Sequence, residues 1–200
     1  VYSTGISLQN CCTEVRNGAL RGLYSFDISN CHWNILRQTT KVPLPIIEFY
    51  IKNKKEVRST LVSELGLPGD DEQQLKGVKV ILLSSLSLIY GASLCKFDIK
   101  NAIAGICESE KCYSRVQSNS LISGIHKEVK RAAKELIKVN TIKLGRHSGK
   151  LINIMGLVCD ETKSSKKLSH ILQGYEAKAL EVAVGVSRID TAVLIHDGWV

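Results

Sequence analysis

The chain is expected to be an α+β protein, and three observations point there. Short apolar stretches ending in turn residues stand near both ends, at residues 23–27 and 192–195. Gly149 and Gly156 bracket an alternating stretch over residues 150–158 that fits a β-hairpin. Between the outer strands, apolar residues recur mostly at helical spacing. With 200 residues, 44% of them hydrophobic, the chain can bury a real core as one domain or two interleaved subdomains.

Taken in order, residues 2–10 are polar and turn-rich and lead into a basic segment with Arg16 and Arg21. Residues 23–27 form the first strand, which ends on Asp27. Ser29 and Asn30 are residues that cap helix N-termini, and the apolar pattern at Trp33 and Leu36 suits a helix directly behind them. Asp27 therefore sits at a strand end beside backbone N–H groups that favour anions, where a carboxylate can hold a hard cation with phosphates nearby. The plain alternative is an acid ending a strand in a turn. Pro43 and Pro45 close off that helix, because proline lacks a donor and pushes its predecessor out of helical space.

From Ile46 the pattern is helical and basic, with Lys52, Lys54, Lys55 and Arg58 on the polar side, up to the turn at residues 66–69. Asp70, Asp71 and Glu72 open another helix with acids in its first turn, as the dipole prefers. It carries Lys76 and Lys79, runs through Val80 to Ile89 and ends on Tyr90-Gly91. Two lysines three apart share a helix face and suit a triphosphate, or are solvated charges at the wet end of a buried helix. Tyr90 is a phenol beside a residue that lets backbone approach closely, or a core tyrosine.

Residues 94–145 look like a helical insertion. Ile125, Val129, Ala132, Ala133 and Leu136 recur at helical spacing, while Lys127, Lys130, Arg131, Lys134 and Lys138 line the other side. Such a face is either solvated or suited to a phosphate backbone. After the hairpin, Lys163, Lys166 and Lys167 precede a helix built on Leu168, Ile171, Leu172, Tyr175 and Ala179, with His170, Gln173 and Glu176 on its polar side. The last strand, residues 192–195, runs into His196-Asp197-Gly198, and Trp199 and Val200 resume extended structure. A second acid thus sits at a hairpin tip.

Charge and cysteine usage narrow the class. With 27 Lys+Arg against 19 Asp+Glu the net charge is +8, which favours a polyanionic partner. Seven Cys without regular spacing argue against a disulfide framework and for an intracellular, reducing compartment. Cys107 and Cys112 read as half a zinc site, but no second CxxC or His pair completes it, so free thiols are expected. No signal peptide opens the chain, and the apolar run at residues 80–92 contains three Ser and is too short to span a bilayer. Starting at Val1 without Met and stopping just after an apolar strand, the sequence reads as an excised segment.

The order STxxxLQN, then an Asp-x-Ser strand-to-helix turn, a Lys-bearing helix ending in Tyr-Gly, Gln-Gly on a helix, and strand-His-Asp-turn resembles the palm and fingers of family A DNA polymerases. It is similar too to the phage-type single-subunit RNA polymerases. The resemblance runs from Ser3 to Val200. Ser3-Thr4 and Leu8-Gln9-Asn10 match the segment before the palm, and Asp27 to His32 match motif A. Tyr90-Gly91 match the end of the nucleotide-binding fingers helix, Gln173-Gly174 the minor-groove-sensing helix, and His196-Asp197 motif C. Three departures stand out. His32 replaces the usual Glu that crowds the sugar 2′ position. Lys76 and Lys79 lie further from the tyrosine than the family's triphosphate-binding residues, by roughly one helical turn. Gly198 replaces the acid after the motif C Asp.

The resemblance implies an antiparallel polymerase palm with helices on one face, formed by residues 1–45 and 146–200, with residues 46–145 as a fingers insertion. It implies a DNA-directed DNA polymerase working on a DNA primer-template with nucleoside triphosphates, off the membrane, with the thumb and other domains elsewhere. Asp27 and Asp197, with the Ile28 carbonyl, would hold two Mg²⁺ (Mn²⁺ can substitute). Two carboxylates on adjacent strand ends suit a metal pair about 3.5–4 Å apart. His32, Lys76, Lys79 and Tyr90 would meet the nucleotide; Gln9, Asn10, Arg16, Gln173 and His196 would meet the nucleic acid. The alternatives are an RNA polymerase of the same architecture and a catalytically inactive nucleic-acid-binding relative. Template, sugar preference and biological role are not set by these residues.

Overall fold

The computed structural model describes residues 26–27, 30–83, 88–90, 94, 97, 102–143, 145, 147–187, 194–195 and 198–199. Strand β1 (Phe26–Asp27) is followed by helices α1 (Cys31–Thr39), α2 (Pro45–Lys52), α3 (Lys54–Leu65) and α4 (Asp71–Leu83), then by a 3-10 turn at Leu88–Tyr90. Helices α5 (Ala102–Cys107), α6 (Glu110–Ser118) and α7 (Ser120–Val139) come next. The hairpin β2 (Leu151–Ile152) and β3 (Val158–Cys159) leads to α8 (Ser164–Ser187), and β4 (Leu194–Ile195) and β5 (Gly198–Trp199) finish the described chain. The architecture is α+β with helices dominant. β1, β5 and β4 make an antiparallel sheet in that order, and β2 and β3 a separate antiparallel pair.

Local chemistry sets the helix ends. Asn30 opens α1 in the left-handed region at φ 53°, which asparagine tolerates better than most residues, but its side chain makes no cap hydrogen bond. At Asn30 the expected side-chain cap is a backbone turn in which Asn34 N–H donates to the Asn30 carbonyl at 3.0 Å, and Ser29 lies outside the described residues. Pro45 stands in the first turn of α2, where its missing donor costs nothing. Asp70 and Gln73 cap α4 reciprocally: Gln73 N–H donates to Asp70 Oδ1 at 2.9 Å and Asp70 N–H to Gln73 Oε1 at 3.0 Å. Ser109 and Asn119 accept from Cys112 N–H and Ile122 N–H to start α6 and α7.

Three expectations change. The basic stretch after Ile46 is two helices broken at Asn53, and Arg58 is buried, donating from Nη2 to the Tyr50 hydroxyl at 2.9 Å. Burial pushes the Tyr50 phenol above its ordinary pKa, and the Arg58 charge partly offsets that. The helix carrying Lys76 and Lys79 is described over Asp71–Leu83, residues 84–87 lie outside the described residues, and Leu88–Tyr90 is a 3-10 turn rather than α-helix. In α8, Lys166 and Lys167 lie inside the helix, Ala179 is exposed and Glu176 is buried, reversing the expected sides for the last two.

One core joins all of this. Trp33 and Leu36 of α1, Ile47 and Tyr50 of α2, Ile122, Ile125, Val129 and Ala132 of α7, and Leu168, Ile171 and Leu172 of α8 are buried together. The Trp33 and Tyr50 rings meet edge-to-face at 5.6 Å. The predicted split of α7 holds: its five cations are exposed and its apolar positions face the core. The hairpin is also present, its turn tied by Asn153 Oδ1, which accepts from Met155 and Leu157 N–H at 3.0 Å each. Asn153 rests against α8 at Gly174, where an added Cβ would come within 2.8 Å of it.

The contact that locks α2 to α7 is a buried carboxylate. Glu128 of α7, 2% exposed, accepts from Ile46 N–H at 3.0 Å and Ile47 N–H at 2.9 Å, capping α2 from another helix. Nearby, Glu135 accepts from the Thr40 hydroxyl and from the Lys41 and Val42 N–H groups. The Thr40 hydrogen bond is the main reason its carboxyl lies below the usual range. Glu128→Ala strands two buried donors and should lower stability by about 2–4 kcal/mol, while Glu128→Gln, which keeps an acceptor, should recover roughly half. Chemical denaturation measures both; an alanine variant as stable as the parent would show that the cap is dispensable.

Candidate functional site

The residues singled out from sequence divide into four groups. Gln9, Asn10, Arg16, Ile28, His196 and Asp197 lie outside the described residues. Asp27 ends β1, and its backbone pairs with Gly198 of β5. Gly198 follows Asp197 in the sequence, so Asp27 is paired with the residue next to the second acid. Lys76 and Lys79 are exposed on α4. The remaining three, His32, Tyr90 and Gln173, lie on elements packed against one another: α1, the 3-10 turn and α8.

His32 is the second residue of α1, because the helix begins at Cys31; it sits in the first turn rather than beyond it. Its Nδ1 lies 2.9 Å from the Tyr90 hydroxyl, and the two rings are edge-on at 5.4 Å. On its other side, Nε2 lies 3.4 Å from Glu176 Oε2. That separation brings the two into electrostatic contact, but the groups are not aligned for a hydrogen bond. With the ring proton on Nε2 facing the carboxylate, Nδ1 accepts from Tyr90. The imidazole is thus hydrogen-bonded on one edge and faces a carboxylate on the other, where three elements meet.

Tyr90, 6% exposed, has a second role. It walls a cavity of about 410 Å³ together with Lys130, Ala133, Lys134 and Ile137 of α7 and Ser164 and Ser165 at the start of α8. Gln173 is half-buried on α8, one turn before Glu176. Glycine follows it because the hairpin's Asn153 comes so close there.

Sequence reasoning missed Glu176 as a buried residue, although Leu168, Leu172, Glu176 and Leu180 recur every fourth position and all four are buried. Polarity outweighed periodicity in that reading. It also treated Lys130 and Lys134 as part of one basic face, when these two alone among the five α7 cations line the cavity.

Among the described residues, Cys107, Cys112 and Cys159 are free thiols, these three and Cys31 are buried, and no group of three His, Cys, Asp or Glu side chains could hold a metal. Burial, reinforced by neighbouring Cys112, pushes the Cys107 thiol up to about 12. Cys107 should therefore resist iodoacetamide at neutral pH in the folded protein and react after denaturation, which mass spectrometry of the labelled peptide measures. Rapid native labelling would show a thiolate that this packing does not allow.

No helix among the described residues is long and apolar enough to cross a membrane. No protein-family model, curated protein or solved structure matches this chain.

Proposed function

We propose that the chain carries the palm and fingers of a template-directed nucleotidyltransferase, a DNA-directed DNA polymerase that uses two Mg²⁺. One observation carries the reading: β1 and β5 pair so that Asp27 lies opposite Gly198, the neighbour of Asp197. A palm needs two carboxylates from distant motifs on adjacent strands, and this register supports that need.

The donor set fits a hard divalent cation, since Asp27, Asp197 and the Ile28 carbonyl all offer oxygen. Bound there, the metal pair supplies charge for activating the primer hydroxyl and for the departing pyrophosphate. The chain's own residues do the rest. Asp27 and Asp197 orient the reacting ends. Tyr90 gives the nucleotide an aromatic wall, and Gln173 with His196, Gln9, Asn10 and Arg16 meets the primer-template. His32 stands at the sugar edge in place of the family's Glu, and its contact with Tyr90 supports that role, because an imidazole hydrogen-bonded on one edge and facing a carboxylate on the other is restrained from swinging away from a 2′-hydroxyl.

Primer extension tests the proposal. Asp27→Ala and Asp197→Ala should each abolish extension while leaving template binding nearly intact, because the acids hold cations and not DNA. Substantial extension by either variant would remove the two-metal assignment.

Sugar choice is tested separately. His32→Ala should raise rNTP relative to dNTP incorporation by about tenfold, the effect of relieving a clash of roughly 1–2 kcal/mol. Unchanged selectivity would leave His32 a packing residue, and a parent enzyme that prefers rNTPs would make this a single-subunit RNA polymerase.

A further inference from the structure

We infer that the cavity between Tyr90, α7 and the start of α8 binds the polyphosphate tail of a nucleoside triphosphate, with Lys130 and Lys134 as its cationic contacts. The inference rests on the polymerase reading and moves the triphosphate site from α4 to α7.

Charge carries the first step. Lys130 and Lys134 are one turn apart, so both ammonium groups fall on one stripe of α7. Among the described residues neither forms an ion pair. The two acids of α7 are directed elsewhere, Glu128 to the Ile46 and Ile47 N–H groups and Glu135 to Thr40, Lys41 and Val42. Two cations with no ion-pair partner among the described residues therefore line one concavity.

Shape carries the second. About 410 Å³ lies within the range of small-molecule sites. Ser164 and Ser165 add hydroxyl donors opposite the lysines, and as the first residues of a 24-residue helix they also bring N–H groups without intrahelical acceptors. Tyr90 lines the cavity, and its hydroxyl is already engaged by His32. Anion contacts beside a fixed aromatic surface describe a nucleotide better than a free phosphate. Lys76 and Lys79 do not line this cavity. Lys127, Arg131 and Lys138 share α7 but lie off it, which separates small-anion binding from any longer polyanion along the same helix.

The test has two arms. In the first, inorganic triphosphate is titrated into the intact protein by calorimetry with EDTA present, so that neither metal nor turnover contributes. Lys130→Gln/Lys134→Gln should weaken binding at least tenfold, while the equal-charge control Lys52→Gln/Lys55→Gln should bind as the parent does, with thermal melts confirming that each variant folds. Equal losses in both double variants, or no loss in the first, would overturn the inference. In the second arm, primer extension should show KM for dNTP raised at least tenfold by Lys130→Gln/Lys134→Gln with kcat little changed. Extension by the parent with an unaltered KM in that variant would remove this site and leave the polymerase reading standing. Triphosphate binding that depends on Lys130 and Lys134 in a parent that extends no primer would do the reverse.

Discussion

Glu128 is the contact on which the arrangement of helices depends. A buried carboxylate costs several kcal/mol to desolvate, and two charge-assisted hydrogen bonds of about 1.5–3 kcal/mol each roughly offset that. Its net stabilisation is therefore modest, but its geometric demand is not. Only one rotation and one height of α7 bring both Glu128 oxygens to the Ile46 and Ile47 N–H groups. Pro45 ahead of them contributes no donor, so the carboxylate meets the first donors that α2 has to offer. An apolar residue at 128 would pack, but α7 could then slide or turn against α2.

With α7 fixed, the site follows. Its acids point toward α2 and the 40–42 connection, while Lys130 and Lys134 line the cavity shared with the 3-10 turn and the start of α8. Tyr90 is buried where α7 and α8 both pack on the 3-10 turn, and its hydroxyl reaches His32 on α1. Glu176, buried among leucines on α8, approaches His32 from the far side. A carboxylate at a core position is costly alone, and the imidazole beside it supplies a partner that leucine at 176 would deny.

Legibility followed interaction range. The amphipathic split of α7, the acid-capped start of α4 and the Gly-bracketed hairpin were readable because each depends on residues within a few positions of one another. Arg58, Glu128 and Glu176 were not. Each is a polar residue carried into the interior by a partner on another helix, and a local pattern assigns such residues to solvent. The break at Asn53 was hidden for the same reason: the sequence on both sides favours helix, and packing of α2 against α7 turns the chain. Of the candidate site, His32 and Tyr90 were singled out from the family resemblance as residues that would meet a nucleotide. The third member was missed, and the cavity was invisible because its walls come from three separated stretches.

The overall charge of +8 is weak support for a phosphate-handling protein, since many basic proteins handle none. Distribution says more than the total. Of the acids proposed for metal, Asp27 ends a strand of the sheet, the acids of α7 accept from donors of α2 and the 40–42 connection, and the lysines beside Tyr90 form no ion pair among the described residues. Separated in this way, negative oxygens can gather cations at one place while positive nitrogens gather phosphate at another, without the two sets cancelling each other first. A helix that spends both of its carboxylates on capping its neighbours is what makes that separation possible. The same residues that build the fold therefore set the electrostatics of the site.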